Sequence, residues 1–291
     1  MVKAVTEELK ERPRDPELYI RRGELHRRHG DFDLALADYE MASRHGTAGN
    51  LATLDLMRGL LFLEAKWPST ARACLDRFLA REPNHAIALA ARARAHLQLR
   101  DRDSANRDFS AAIRASAEPR PELYVERAEA MASGDAPRLQ EAVDGIDEGI
   151  RALGPIVTLE LVGIDLKLRL QQTNAALERL DRVLQRSPRK EAWLARRGEI
   201  LRASGRWGEA HAAFTNALGQ LATLPPARRN VPAMQELERR LKEAATEMEA
   251  KVASAGVAPP PSRQTPLPTP FRGAGKAGAF SPRLPKLHNL S

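Results

Sequence analysis

The feature that most constrains the fold of this chain is an alanine followed four residues later by a large apolar residue, a pair that recurs about every 34 residues. Each pair lies in a segment whose apolar residues recur at helical spacing, and a second such segment precedes it. A period of this length with two amphipathic segments is typical of stacked helix-turn-helix units. The sequence therefore predicts an elongated helical array rather than a globule. The six pairs are Ala35/Tyr39, Ala71/Leu75, Ala105/Phe109, Ala142/Ile146, Ala176/Leu180 and Ala210/Phe214.

Small residues occupy the matching register of the preceding segment in most units. Two antiparallel helices approach closely only where side chains are small, and the large residue of each pair then fills the adjoining space. The pattern therefore predicts that the two segments of a unit pack face to face. The small residues are Gly23, Gly59, Ala93, Ala128 (shifted by two residues) and Gly198, and Ile164 is the exception.

The first unit reads PELYIRRGELHRRHGDFDLALADYEMASRHGT. With Tyr19, Gly23, a Gly-Asp-Phe turn at 30–32, Ala35 and Tyr39, it resembles the tetratricopeptide repeat. The resemblance implies an all-α, right-handed solenoid of about six units that binds proteins. The predicted units are 16–49, 52–85, 86–119, 121–156, 157–190 and 191–224.

The fourth and fifth units depart from the repeat pattern. The fourth has a two-residue insertion around DAPRLQ, and the fifth has Gly163-Ile164 at the small position and QQTN in place of a glycine turn. Outside the repeats, residues 1–15 predict a capping or partial-repeat helix. An apolar stripe within 225–253 predicts a C-terminal capping helix.

The C-terminal segment 254–291 differs from the rest in composition. It has no Asp or Glu, five Lys or Arg residues and eight of the 20 prolines, so we expect it to be disordered. The whole chain carries a net charge of +8, which leaves +3 for the repeats and caps. Because the basic excess lies mainly in the tail, the repeats are not a strongly basic surface, and the sequence does not favour nucleic acid as their partner.

Arginines precede the small position in most units, where the repeat usually has an apolar residue. Acidic residues stand at the facing position of two second segments. We therefore predict the pairs Arg22–Asp38 and Arg92–Asp108, which would fix the helix register more than they add stability. The arginines are Arg22, Arg58, Arg92, Arg127 and Arg197.

No pattern in the sequence predicts catalysis, a cofactor or a metal site. The seven histidines are scattered, and the single cysteine, Cys74, has no metal-site spacing around it. The run Gly273-Ala-Gly275-Lys-Ala-Gly278 fits a dinucleotide motif but has no strand before it or helix after it. We therefore expect a protein that is not an enzyme and has no cofactor.

The family resemblance implies a concave groove lined by the first helices, which binds a peptide or helix of a partner. One lining position is apolar in every unit, and the position one turn later is acidic in the last three. An apolar, basic partner segment is therefore expected in the C-terminal half. The groove residues read in this way are Ile20, Glu24, Leu56, Leu60, Ala90, Arg94, Val125, Glu126, Glu129, Leu161, Asp165, Ala195 and Glu199.

Three alternatives stay open at the level of sequence. The basic tail could attach the chain to nucleic acid or another anionic surface, or the chain could be the regulatory subunit of an enzyme encoded elsewhere. The tail could also fold back onto Glu129, Asp165 and Glu199 of its own groove. The chain has no apolar run of membrane-spanning length and opens without a signal peptide, so we expect a cytoplasmic protein, or an exported one if a leader is missing upstream.

Overall fold

The computed structural model describes residues 1–255, and all the regular secondary structure of that part is α-helical. The chain is an all-α solenoid in which six antiparallel helix pairs, units 1 to 6, follow one another. Units 1 to 6 have the first helices α2, α4, α6, α8, α10 and α12 and the second helices α3, α5, α7, α9, α11 and α13. The helices are α1 (Val2–Glu11), α2 (Pro16–His29), α3 (Phe32–His45), α4 (Ala48–Glu64), α5 (Pro68–Leu79), α6 (Ala86–Gln98), α7 (Arg102–Ala115), α8 (Pro121–Ala132), α9 (Leu139–Leu153), α10 (Val157–Arg169), α11 (Thr173–Arg186), α12 (Glu191–Ala203), α13 (Trp207–Ala222), α14 (Pro226–Arg229) and α15 (Pro232–Ala255).

The two ends of the array are covered by helices. Val5 and Leu9 of α1 are buried against Leu18 of unit 1. At the other end α15 packs along α13, where Leu241 and Met248 are buried. The tail beyond Ala255, and with it the prediction of disorder, lies outside the described residues. Within residues 1–255, no helix has both the length and the apolar character needed to cross a membrane.

The turn between the two helices of each unit contains one residue in the left-handed region. In unit 1 it is Gly30, with φ of 86°, directly after α2. A left-handed backbone costs a residue with a side chain about 1–2 kcal/mol, so glycine suits this place. Three units nevertheless use another residue here, which explains why their turns carry no glycine signal. These residues are Lys66, Arg100 and Gln171, with φ of 65°, 63° and 59°.

Glycine at the crossing point of the two helices brings them into close contact, as the repeat pattern predicts. A Cβ atom on Gly23 would lie 2.6 Å from Cε1 of Tyr39, which is well inside van der Waals contact. Gly59 has the same relation to Leu75, at 2.7 Å from its Cγ. Tyr39 and Leu75 are completely buried. The alternation of small and large residues therefore sets the spacing of the helix pairs.

Both predicted ion pairs between the helices of a unit are confirmed. Arg22 donates to the two carboxylate oxygens of Asp38 at 2.9 and 2.6 Å. Arg92 does the same to Asp108 at 2.7 and 2.8 Å, and it also reaches Asp76 of unit 2 at 2.9 Å. In each case the first helix supplies the arginine and the second helix supplies a buried carboxylate.

The other three arginines of the row also contact second helices, but with different partners. Arg58 donates to the main-chain oxygen of Tyr39, in the preceding unit, and Arg197 pairs with Asp181, also in the preceding unit. Arg127 pairs with Glu148 of its own unit at 2.5 Å. This row therefore links adjacent units as well as the helices within a unit.

Unit 5 keeps the ion pair but reverses its direction. Gly163 stands at the register position of the first-helix arginines, and Arg179 stands on the second helix where units 1 and 3 have aspartate. The guanidinium of Arg179 lies over Gly163, so that a Cβ there would be 2.8 Å from its Nη1. Arg179 donates to Glu160 at 3.2 Å and also pairs with Asp147 of unit 4. The unusual Gly163 of the fifth unit thus provides space for an arginine.

The candidate binding groove

The first helices form the inner row of the solenoid. Helix α2 contacts α4, α4 contacts α6, and α8 contacts α10, so first helices of successive units meet directly at these three junctions. Each second helix of units 1 to 5 packs between the first helix of its own unit and that of the next, and α13 packs between α12 and α15. The surface that the first helices form is therefore the candidate groove.

The apolar lining position of the first helices is only partly accessible. Leu56 and Ala90 are buried, with 8% and 5% exposure, and so contribute little surface in units 2 and 3. Leu60, one turn later in unit 2, is half-buried. An apolar surface is therefore present in the remaining four units at this position. Its half-buried members are Ile20, Val125, Leu161 and Ala195.

Most charged residues of the groove are paired with one another. In unit 1, Glu24 accepts hydrogen bonds from Arg27 at 2.6 Å and from Arg28 at 3.0 Å. Arg94 of unit 3 donates to both carboxylate oxygens of Glu126 in unit 4, at 2.6 and 2.8 Å. Ion pairs of this kind cross from unit to unit along the inner row, and they occupy charges that a partner would otherwise meet.

The acidic residues expected in the C-terminal half are largely neutralised in the same way. Asp165 pairs with Arg196 at 2.7 Å, and Glu199 pairs with Arg202 at 2.5 Å. Glu129 is exposed and forms no ion pair with any of residues 1–255. Of the three acids, Glu129 alone therefore presents an uncompensated charge to a partner within the described part of the chain.

The carboxyl of Glu129 has an altered acidity. Desolvation by the neighbouring side chains raises its pKa above the ordinary value, although part of the residue is exposed, and the nearby charge of Glu126 raises it further. At the same register position of unit 1, burial raises the pKa of Glu24, but the hydrogen bonds from Arg27 and Arg28 outweigh that and lower it. A cation bound beside Glu129 would give it the partner that Glu24 already has.

Two further parts of the groove were missed by the sequence reading. Ile87 lies three residues before Ala90 and seven before Arg94, hence on the same helix face, and 62% of it is exposed. Helix α15 lies beside α12, and Arg240 and Ala244 face Ala195 and Glu199 across a cavity of about 460 Å³.

A signal for both was present in the sequence. Ile87 shares the helical spacing of the lining positions. The apolar stripe of α15, with Leu237 and Leu241, has the spacing of a first helix, although it was interpreted as a cap. The groove therefore runs past the sixth unit onto the terminal helix.

The geometry defines a class of protein, an α-solenoid of helix-turn-helix units with a concave inner row. The profile of the tetratricopeptide repeat family matches residues 2–48, 56–101 and 162–225, and the chain belongs to this family. The longest unmatched stretch between the matches, 102–161, contains the fourth unit with its insertion. No curated protein matches the chain in sequence.

Solved structures support the same fold. A tetratricopeptide repeat protein from Parabacteroides merdae is 19% identical with a TM-score of 0.51, and the match covers 83% of this chain and 91% of that one. The pilF protein of Pseudomonas aeruginosa is 15% identical with a TM-score of 0.51, over 77% and 97% of the two chains. The MamA protein is 15% identical with a TM-score of 0.50, over 63% and 97%. At these identities the likeness concerns the fold alone.

Proposed function

We propose that the chain is a non-catalytic scaffold that binds an extended or helical segment of a partner protein in its concave groove. The tetratricopeptide fold suggests a protein-interaction scaffold. The observation that carries the finer proposal is the row of apolar side chains on successive first helices, of which Ile87 is the most exposed. A row of this kind offers one anchor per unit to an elongated ligand.

The chemistry of the partner segment follows from what the groove leaves unpaired. Apolar contacts supply most of the binding energy, because the groove charges Glu24, Glu126, Asp165 and Glu199 already have arginine partners. Glu129 favours one basic residue near unit 4. The segment is therefore mainly apolar with a Lys or Arg, and its affinity is modest, about micromolar.

The experiment compares partner capture by the wild-type chain with capture by Ile87→Glu and by Leu34→Glu. Both residues are exposed, at 62% and 54%, so neither substitution disturbs the core. Leu34 belongs to the second helix α3, outside the groove, and its substitution makes the same change in charge and polarity. We expect Ile87→Glu to lose the partner by about tenfold or more and Leu34→Glu to retain it.

The same capture with a chain ending at Ala255 tests the tail. A partner retained by the shortened chain belongs to the groove. Capture that depends on residues 256–291 and weakens steeply with salt would instead favour binding of the basic tail to nucleic acid or another anionic surface. Equal capture by Ile87→Glu and Leu34→Glu would contradict the proposal.

A further inference from the structure

A second accessible cavity lies outside the groove, where α11 ends and α12 begins. It has a volume of about 180 Å³, which is below the roughly 300–1,000 Å³ of a small-molecule site but several times the volume of a water molecule. We call it the edge pocket. It is lined by Pro155, Val157, Glu160, Arg182, Val183, Arg186, Ser187, Pro188 and Trp193.

One wall of the edge pocket is an exception to the repeat pattern. Trp193 stands at a first-helix position that holds Leu or Ala in all five of the other units. Those residues are buried, as the exposures of Leu18 (6%), Leu123 (7%) and Leu159 (0%) illustrate. Trp193 is only half-buried, and its indole Nε1 donates to Oγ of Ser187 at 3.0 Å. The indole is therefore held in place as one wall of an apolar opening.

A comparison with unit 2 shows that one arginine at this opening has lost its partner. In unit 2, Asp55 of the first helix accepts from Arg77 at 2.9 Å and from Arg81 at 3.1 Å. Arg77 and Arg81 lie six and ten residues after the repeat alanine Ala71. Unit 2 therefore uses a buried carboxylate to hold one arginine of its second helix and one just beyond the end of that helix.

Unit 5 has the same three positions filled by Glu160, Arg182 and Arg186. Here, however, Arg179 donates a hydrogen bond to Glu160 at 3.2 Å, and the hydrogen bond from Arg182 to Glu160 is longer, at 3.4 Å. Arg186 is exposed and pairs with no acid among residues 1–255. The reversed ion pair of unit 5 therefore leaves a cation unoccupied at the mouth of an apolar pocket.

We propose that the edge pocket is a second docking site, which takes a single bulky apolar side chain from an acidic segment of a partner protein. The apolar side chain enters between Val157, Val183 and Trp193, and a neighbouring carboxylate of the partner pairs with Arg186. Lys190, which is also exposed and unpaired within residues 1–255, adds to the preference for acid. The basic tail of this chain is excluded as the occupant, because it has no acidic residue.

The probe is the acetylated and amidated peptide EELEE, titrated into the full-length chain labelled with nitrogen-15. The readout is the indole N–H signal of Trp193, which is identified by its disappearance in Trp193→Phe. We expect EELEE to shift this signal, and EEAEE and KKLKK to shift it much less at the same concentration. Binding should also weaken at high salt, because the ion pair is exposed.

Matched variants separate a specific site from general attraction of charge. Arg186→Glu should weaken EELEE binding by about tenfold, since it replaces an attraction by a repulsion. Arg114→Glu makes the same change at an exposed arginine near the end of another second helix, α7, and should leave binding unchanged. Equal losses in the two variants, or a Trp193 signal that EELEE does not move, would overturn the proposal.

The outcome is independent of the groove. Ile87→Glu lies on α6, in unit 3, and should not alter the titration by EELEE. Loss of peptide binding in Ile87→Glu would mean that the peptide occupies the groove, and this also counts against the edge pocket. If partner capture depends on Ile87 but EELEE does not bind the edge pocket, the groove proposal stands and only the edge-pocket proposal fails.

Discussion

Units 1, 3 and 5 all place an ion pair between their two helices, but unit 5 carries the arginine and the acid on the opposite helices from units 1 and 3. In units 1 and 3 the first helix carries the arginine and the second helix carries a buried aspartate. In unit 5 the first helix carries Glu160 and Gly163, and the second helix carries Arg179. The comparison shows that each of these helix crossings combines an arginine with a carboxylate on the facing helix, and that either helix can carry the arginine. In unit 5 the first helix also needs a small residue opposite the arginine.

The two arrangements differ in how deeply the arginine is buried. The side chain of Arg179 is 6% exposed, whereas those of Arg22 and Arg92 are each 23% exposed. Removal of one partner from a buried pair leaves an uncompensated charge, and the cost rises with burial. Unit 5 should therefore be the most sensitive to loss of a single carboxylate.

Glu160→Gln is expected to have the largest effect. It removes the charge of a buried carboxylate that accepts from both Arg179 and Arg182, and it should lower the free energy of unfolding by about 3 kcal/mol. Asp108→Asn, the counterpart in unit 3, should cost only about 1 kcal/mol, because Arg92 is more exposed than Arg179. Each arginine keeps one other acid, Asp76 for Arg92 and Asp147 for Arg179, so the difference rests on burial. Urea unfolding followed by circular dichroism measures both. Equal losses would show that the depth of burial does not distinguish the two arrangements.

Gly163→Ala tests the space rather than the charge. The added methyl group would lie 2.8 Å from Nη1 of Arg179 and 3.1 Å from its Cζ, so the guanidinium must move away from Glu160. We expect a loss of about 2 kcal/mol, as for other overpacked sites. The control is Gly219→Ala in α13, where nothing lies within 4 Å of the new Cβ and the better helix propensity should add up to about 1 kcal/mol.

If Gly163→Ala were as stable as Gly219→Ala, the close approach of Arg179 would not depend on glycine. Urea unfolding followed by circular dichroism decides this, since the two substitutions are chemically identical and both sites lie within helices. A gain in one and a loss in the other would assign the difference to the arginine above Gly163.

The sequence predicted the regular part of the fold because one rule repeats there. The alternation of Gly23 with Tyr39 and the facing positions of Arg22 and Asp38 were enough to predict both the helix pairing and an ion pair. The fifth unit could not be predicted in the same way, since Gly163 looked like a displaced crossing residue. Its meaning depends on Arg179, sixteen residues later, whose guanidinium position no local pattern specifies.

The groove shows the same limit. The lining positions follow from the helical period, but their accessibility does not, and Leu56 and Ala90 prove to be buried. The charges of the groove could be read from the sequence, whereas their pairing across units could not. Arg94 and Glu126 are 32 residues apart, and the distance between them depends on how successive units stack.

Substitutions in the turns of units 3 and 5 compare the two units again, with a smaller expected change in stability. Arg100 in unit 3 and Gln171 in unit 5 both have positive φ, so replacing either with glycine should relieve strain and raise the free energy of unfolding by up to about 1 kcal/mol. Thermal unfolding of Arg100→Gly and Gln171→Gly measures the two gains. Equal gains would show that the turn of unit 5 is as regular as that of unit 3, while a gain in only one would place part of the irregularity of unit 5 in its turn.

The smallest effect is expected for substitutions of Glu24 and Glu129. The two residues occupy the same register position in units 1 and 4, but only Glu24 has arginine partners. The pKa of Glu24 is lowered, so its charge stabilises the fold above the pKa of the unfolded chain, and this contribution is lost as the pH falls. The pKa of Glu129 is raised, so its protonated form favours the fold at low pH, and that advantage is lost as the pH rises through the folded pKa. At pH 7 Glu24→Gln should therefore lower the melting temperature and Glu129→Gln should raise it. The Glu129 difference should disappear below about pH 4, and the Glu24 difference should fade only at lower pH, below the lowered pKa of the folded state. Melting curves at the two pH values give the signs directly, and a shift in the same direction for both variants would mean that the arginines beside Glu24 do not set its behaviour.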